Sequence, residues 1–223
     1  MKETFRANHL IKTGFILLFV FILWTVAIET VDEAPIGPQN SIVGFSGINK
    51  VFHEFTGLNR TVYKITDVLG LVPFAVCGLL GLLGLNQWIR RKNLLKVDAD
   101  ILACGVYYII IILCYFLFEK MALNYRPEMV EGVMEASYPS STTLLVASVM
   151  PSALLEINRR IPNGTLKTIL KFTVALFTLF MVFARMFCGV HWLTDIIGGL
   201  LLAIGLFFVL KGVIQNLDSK KAE

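Results

Sequence analysis

The feature that most constrains this chain is a series of long, nearly charge-free apolar runs, with most of the charge gathered into the short segments between them. A run of roughly 18 or more apolar residues is long enough to cross the hydrocarbon core of a bilayer as a helix. Inside that core each backbone N–H and C=O must find its partner within the protein, so such a run folds as a helix. Six spans are expected, at residues 11–28, 68–85, 101–118, 141–157, 166–184 and 192–213. With 56% hydrophobic residues and a mean hydropathy of +0.72, the chain leaves no room for a soluble domain. The expected fold class is all-α: a polytopic membrane protein forming a single membrane-embedded domain over residues 1–223.

The first run follows Lys2, Arg6 and Lys12 and exceeds the apolar core of a cleaved signal, so it reads as a retained span. Pro35, Gly37 and Pro38 then forbid a continuing helix. Between Val43 and Phe55, the apolar residues Phe45, Ile48, Val51, Phe52 and Phe55 recur at helical spacing, while Ser46, Asn49, Lys50 and Glu54 face away. That pattern predicts an amphipathic helix, either lying in the membrane interface or packed on the bundle as an ordinary loop helix. Gly78, Gly81 and Gly84 in the second span are expected to admit close approach of a neighbouring helix. Pro151 is expected to bend the fourth span. Cys77, Cys104, Cys114 and Cys188 lack any CxxC spacing and read as small buried hydrophobes.

Lys and Arg are retained on the cytoplasmic side of membrane proteins. Of the 20 Lys and Arg, 14 fall on one side of the six spans, which places both termini in the cytoplasm of a multi-pass cell-membrane protein. The net charge of +4 follows this topology and gives no support to nucleic-acid binding. The outer face then collects the amphipathic segment, the loop from Lys120 to Pro139, and the stretch Arg185 to Asp195, RMFCGVHWLTD.

That last stretch carries the chemistry. On a helix, the four-residue step from His191 to Asp195 would lay the carboxylate beside the imidazole, fixing its tautomer and leaving the second ring nitrogen free to attack or to shuttle a proton. Arg185 adds a planar fork of donors suited to phosphate oxygens. The same residue types also serve purely structural roles at interfaces, as capping aspartates or snorkelling arginines. Lys120 and Arg126 share the outer face, and the chain reads SYPSSTT before the fourth span. Ser140, Ser141 and Thr142 would therefore stand at a helix N-terminus, where hydroxyls can simply cap the helix or, with the unpaired amides, bind an anion.

These residues resemble the type 2 phosphatidic acid phosphatase superfamily of integral membrane lipid phosphatases. Its third motif is matched by Ala184, Arg185, His191 and Asp195 with both spacings intact; its first, nearly, by Lys120 and Arg126-Pro127; its second only by Pro139 and Ser140. The resemblance implies that His191 is the nucleophile, forming a phosphohistidine, with Asp195 orienting it. It implies that Lys120, Arg126, Arg185, Ser140, Ser141 and Thr142 hold the phosphate, that no metal or other cofactor is used, and that the partner is a phosphorylated lipid in the membrane.

Two departures stand out. Lys120 is one residue nearer Arg126 than in the family, so Glu119 occupies the expected position. Ser141 and Thr142 replace the family's glycine and its general-acid histidine, a role a hydroxyl cannot fill near neutral pH. A departing phosphate, with a second pKa of about 6, scarcely needs an acid. The expected substrate is therefore a lipid phosphate, with a polyprenyl diphosphate preferred. Glu128, Glu131, Glu135 and His53 are possible substitute acids. The alternative is a family member that binds or moves a phosphorylated lipid without turning it over. A purely structural membrane protein leaves the clustering of charge unexplained.

Overall fold

The computed structural model describes residues 2–129 and 132–222. Among them the chain forms eight α-helices and two short 3-10 turns. The helices are α1 (Lys2–Ile28), α2 (Ser46–Thr56), α3 (Arg60–Leu69), α4 (Val72–Arg91), α5 (Ala99–Met121), α6 (Ser141–Arg160), α7 (Thr165–Phe187) and α8 (Leu193–Ala222). Five stretches have the length and apolarity to cross a membrane: residues 3–28, 60–91, 99–121, 165–187 and 193–221. The expected fourth span, α6, differs. It is as long as α4 but carries Ser148, Ser152 and Glu156, all buried, and it packs against α4, α5, α7 and α8.

Those polar groups are tolerated because α5 answers them. Tyr108 and Ser152 share a hydroxyl bond of 2.8 Å, and Tyr107 Oη donates to the Ser148 carbonyl at 3.2 Å. Helix α6 thus has a polar stripe that meets protein, while α1, α4 and α7 keep apolar faces outward. It runs through Pro151 without interruption.

Helix α1 lies antiparallel along α8. At Gly14 and Gly205 an added Cβ would come within 2.6 Å of Val209 and 2.9 Å of Leu18, respectively, so the two backbones meet where side chains are absent. This pairing sends both termini out of one end of the bundle; the loop between α7 and α8 lies at the other. The expected close approach at Gly78 and Gly81 is not realised. Nothing lies within 4 Å of a Cβ at either, and only Gly84 meets a neighbour, Ile101 at 3.0 Å.

The second expected span is also displaced. The chain breaks at Gly70 and Leu71, so the membrane-length helix begins at Val72 and a separate helix, α3, precedes it. Helix α3 starts where the Asn59 side chain accepts from the Val62 amide at 3.0 Å. The periodicity predicted α2, and the structure adds its orientation: Ser46 and Asn49 are buried, whereas Ile48, Val51 and Phe55 are exposed. Asn49 Nδ2 donates to Thr194 Oγ1 at 2.9 Å. The polar side is therefore fastened to α8, and the apolar side faces away from the bundle, as an interfacial helix requires.

Candidate active site

The site forms where the loop 122–140 and the turn 188–192 meet the starts of α6 and α8. The loop is closed by a short antiparallel pairing: the Arg126 amide donates to the Glu135 carbonyl at 3.0 Å, and the Ser137 amide to the Asn124 carbonyl at 2.8 Å. This sets Asn124, Arg126 and Ser137 in fixed register. Trp192 Nε1 donates to the Tyr125 carbonyl at 2.8 Å, tying the loop to the start of α8. In the turn, Gly189 has φ +76°, and an added Cβ would lie 1.8 Å from the Gly57 carbonyl oxygen, so only glycine fits there.

His191 precedes α8 and is not on the helix. That corrects the expected side-by-side pair: His191 Nδ1 and Asp195 Oδ2 are 4.0 Å apart, too far for a hydrogen bond. Ser137 fills the gap, with its Oγ 3.0 Å from His191 Nδ1 and donating to Asp195 Oδ2 at 2.5 Å. Asp195 also accepts from the Trp192 amide at 3.0 Å and from Asn124 Nδ2 at 3.3 Å. On the other side of the ring, Arg185 Nη2 lies 3.1 Å from His191 Nε2.

These contacts determine the tautomer. A guanidinium only donates, so Nε2 must hold its lone pair toward Arg185. The ring proton is then on Nδ1 and is donated to Ser137 Oγ, whose own proton goes to Asp195. Burial first, then the positive charges of Arg185 and Arg126, holds the imidazole well below its ordinary pKa and keeps it neutral.

Arg185 is 1% exposed and makes no ion pair among the described residues. Its Nη1 donates to Thr66 Oγ1 at 3.3 Å, and its Nε is buried without a partner. Arg126 donates to Tyr63 Oη at 3.4 Å and pairs with Glu135 at 3.0 Å, and its Nε is also buried without a partner. The two guanidinium carbons lie 5.2 Å (Arg185) and 5.8 Å (Arg126) from the centroid of the Tyr63 ring. Two cations on one ring, with unused donors and one carboxylate between them, form a site short of negative charge.

Ser140 is fully buried, its amide donates to the Asp195 carbonyl at 3.0 Å, and its Oγ accepts from Thr143 at 3.0 Å. The first helical bond of α6 is Leu144 to Ser140, so the amides of Ser141, Thr142 and Thr143 have no helical acceptor. The Ser141 and Thr142 side chains make no hydrogen bond to the site among the described residues; Thr142 instead turns a methyl toward Gly70. Lys120 is not brought in. It is exposed on the last turn of α5, without a bond to any described site residue. Of the substitute acids, Glu135 is spent on Arg126, while His53 lies 3.7 Å from Glu128 and packs edge-on against Trp192. Glu131 lies outside the described residues.

Sequence reasoning missed Ser137, Asn124, Tyr63 and Thr66. Ser137 stands two residues before Pro139, in a segment already marked by its hydroxyls, and was within reach of inspection. Tyr63 and Thr66 come from α3, far away in the chain, and carry no local signal.

A profile of the PAP2 superfamily matches residues 103–218, which contain Ser137, Arg185, His191 and Asp195. The chain is similar to phosphatidylglycerophosphatase B of Bacillus subtilis (strain 168), with 23% identity over 212 residues, covering 91% of this chain and 93% of the relative. In fold it is similar to the crystal structure of a transmembrane PAP2-type phosphatidylglycerolphosphate phosphatase from Bacillus subtilis. The TM-score is 0.64 at 17% identity, over 93% of this chain and 96% of that one. With the profile covering just over half its length, and the motif histidine, arginine and aspartate converging at one end of a helical membrane bundle, the chain belongs to the PAP2 superfamily of membrane phosphatases.

Proposed function

We propose that this phosphatase transfers a phosphoryl group from a lipid to His191 Nε2 and then to water, with polyprenyl diphosphates preferred over monoesters. The observation that carries the reading is the contact between Arg185 and His191 Nε2, which leaves that nitrogen's lone pair on the side where the cations gather. A phosphoryl group entering there would take over the donors of Arg185 and Arg126. Charge developing on the ring as the N–P bond forms is met by Asp195 through Ser137. The amides at the start of α6 add donors for phosphoryl oxygens.

The preference for a diphosphate follows from Thr142. Without an imidazolium beside the leaving oxygen, expelling an alkoxide is slow, whereas a departing phosphate is stable as an anion. The distribution of Lys and Arg supports an outer-face site with cytoplasmic termini.

The test is phosphate release by purified protein from farnesyl diphosphate and from phosphatidylglycerophosphate, the substrate for which both relatives are named. The expected result is faster release from the diphosphate, and a phosphoenzyme that is labile in acid, stable in base and absent from His191→Ala. A phosphoenzyme that survives His191→Ala removes the nucleophile. Faster release from the monoester removes the leaving-group argument alone.

A further inference from the structure

The site so far described holds one phosphoryl group, and a diphosphate carries two. A cavity of about 440 Å³ adjoins it, lined by Leu58, Arg60, Tyr63, Lys64, Glu128 and Val190, among others. Two of these residues join the cavity to the catalytic centre. Val190 precedes His191 in the chain, and Tyr63 is the ring on which Arg126 and Arg185 rest.

Arg60 and Lys64 are one turn apart on α3, so they stand on the same face. Both are exposed, and neither makes an ion pair or a side-chain hydrogen bond among the described residues. Their helix is anchored to the turn that carries the nucleophile: the Asn59 amide donates to the Cys188 carbonyl at 3.0 Å, and Gly57 abuts Gly189. Among the described residues the one carboxylate on the cavity wall, Glu128, lies toward His53. The cation that Lys120 was expected to bring is thus replaced by two on α3. Both lie outside the segment matched by the family profile.

We infer that this cavity is the subsite for the inner phosphate of a lipid diphosphate, held by Arg60 and Lys64, with Leu58 and Met129 leading the chain toward the bilayer. The inference rests on His191 as nucleophile. The Nε2–P bond forms to the terminal phosphorus as the bond from that phosphorus to the bridging oxygen breaks. The electron pair leaves on the bridging oxygen, giving a dianionic prenyl monophosphate whose added charge Arg60 and Lys64 meet. Water then attacks the phosphohistidine, the P–N electron pair returns to Nε2, and dihydrogen phosphate departs with both water protons.

The double variant Arg60→Gln/Lys64→Gln, assayed in detergent at fixed ionic strength, tests the subsite. Its kcat/KM for farnesyl diphosphate is expected to fall about 10- to 100-fold, the scale of charge-assisted bonds. That for phosphatidate, a lipid monoester with no second phosphate, should change less than about 3-fold, the residue of screened steering. Equal losses on both substrates, or no loss on the diphosphate, overturn the inference. Calorimetry with methylenebisphosphonate and inorganic phosphate gives a readout independent of turnover. The bisphosphonate should bind the unsubstituted protein more tightly than phosphate does and lose that advantage in the double variant; an advantage that is absent or retained overturns the subsite. If turnover survives His191→Ala, the nucleophile fails instead, and the binding comparison still decides on Arg60 and Lys64.

Discussion

The two ends of the helix bundle handle buried charge in opposite ways. At the end where the chain begins and finishes, every arginine of the cluster has an acidic partner. Arg159 bonds Asp100 and Asp218, each at 2.6 Å; Arg160 bonds Glu156 at 2.7 Å and Asp98 at 3.2 Å and forms an ion pair with Asp100 at 2.9 Å; Arg91 bonds Asp98 at 2.8 Å. At the other end Arg185 is more deeply buried than any of these and has no acidic partner among the described residues. A buried ion pair is at best a weak source of stability, but an unpaired buried cation costs several kcal/mol. A fold keeps such a cost where a ligand removes it. Charge paired with carboxylates therefore marks the end that locks helices together, and a buried cation without a carboxylate marks the end where the proposed site would take an anion.

The largest effect should come from Arg185→Met. Turnover is expected to fall by about 10³-fold, as when a cation that stabilises a phosphoryl transition state is lost. Thermal unfolding in detergent should nonetheless show a gain of about 1 kcal/mol, because an uncompensated charge leaves the interior. A loss of stability would break the contrast between the ends.

Next, Ser137→Ala should lower kcat about 100-fold, since His191 Nδ1 and Asp195 then face each other across 4.0 Å with no hydroxyl between them. Ser137→Thr keeps the hydroxyl and should recover part of the rate. Equal activity in wild type and Ser137→Ala would show that the relay plays no role.

At the paired end, Arg160→Ala should destabilise by about 3 kcal/mol while leaving the rate per folded molecule unchanged, since Asp100 and Glu156 are left buried with less compensation. A fall in specific activity would mean that the two ends are coupled.

The ends should also differ in pH. As the proposed nucleophile His191 must be neutral to attack, and its folded pKa is held low, so the acidic limb of kcat/KM should lie below the ordinary histidine value of about 6.5. The unfolded chain takes up that proton first, so stability falls as pH drops below about 6.5 and stops falling below the folded value. Asp98 at the far end is lowered to about 2, first by its bond from Arg91. Its contribution is complete above about 3.9 and is lost as pH falls toward 2. A histidine-like acidic limb at about 6.5 would argue that the imidazole is not held neutral. The smallest effect belongs to Gly81→Ala, which touches nothing and should stabilise α4 by up to about 1 kcal/mol.

Much of the molecule was legible in one dimension because the bilayer imposes one-dimensional rules. Apolar run length set the helices, helical spacing set α2, and the order of Arg185, His191 and Asp195 along the chain set the family. Hydropathy sets α6 apart from the other long helices, because its polar residues meet Tyr107 and Tyr108 instead of lipid. It also read three glycines as a contact face where α4 makes almost no contact there.

By itself, then, the sequence determined a helical membrane protein that groups Arg185, His191 and Asp195 between two apolar runs, and the resemblance of their spacing to a family motif supplied the phosphatase reading. Only the tertiary structure decided that Asp195 reaches His191 through Ser137, that Lys120 stays outside, and that α3 brings Tyr63 and Thr66 to the site and Arg60 and Lys64 to the cavity beside it. The physical reason is that a hydrogen-bond relay and an anion cavity are made of distances between separate elements. Spacing along one chain carries no record of which helix will turn which face toward them.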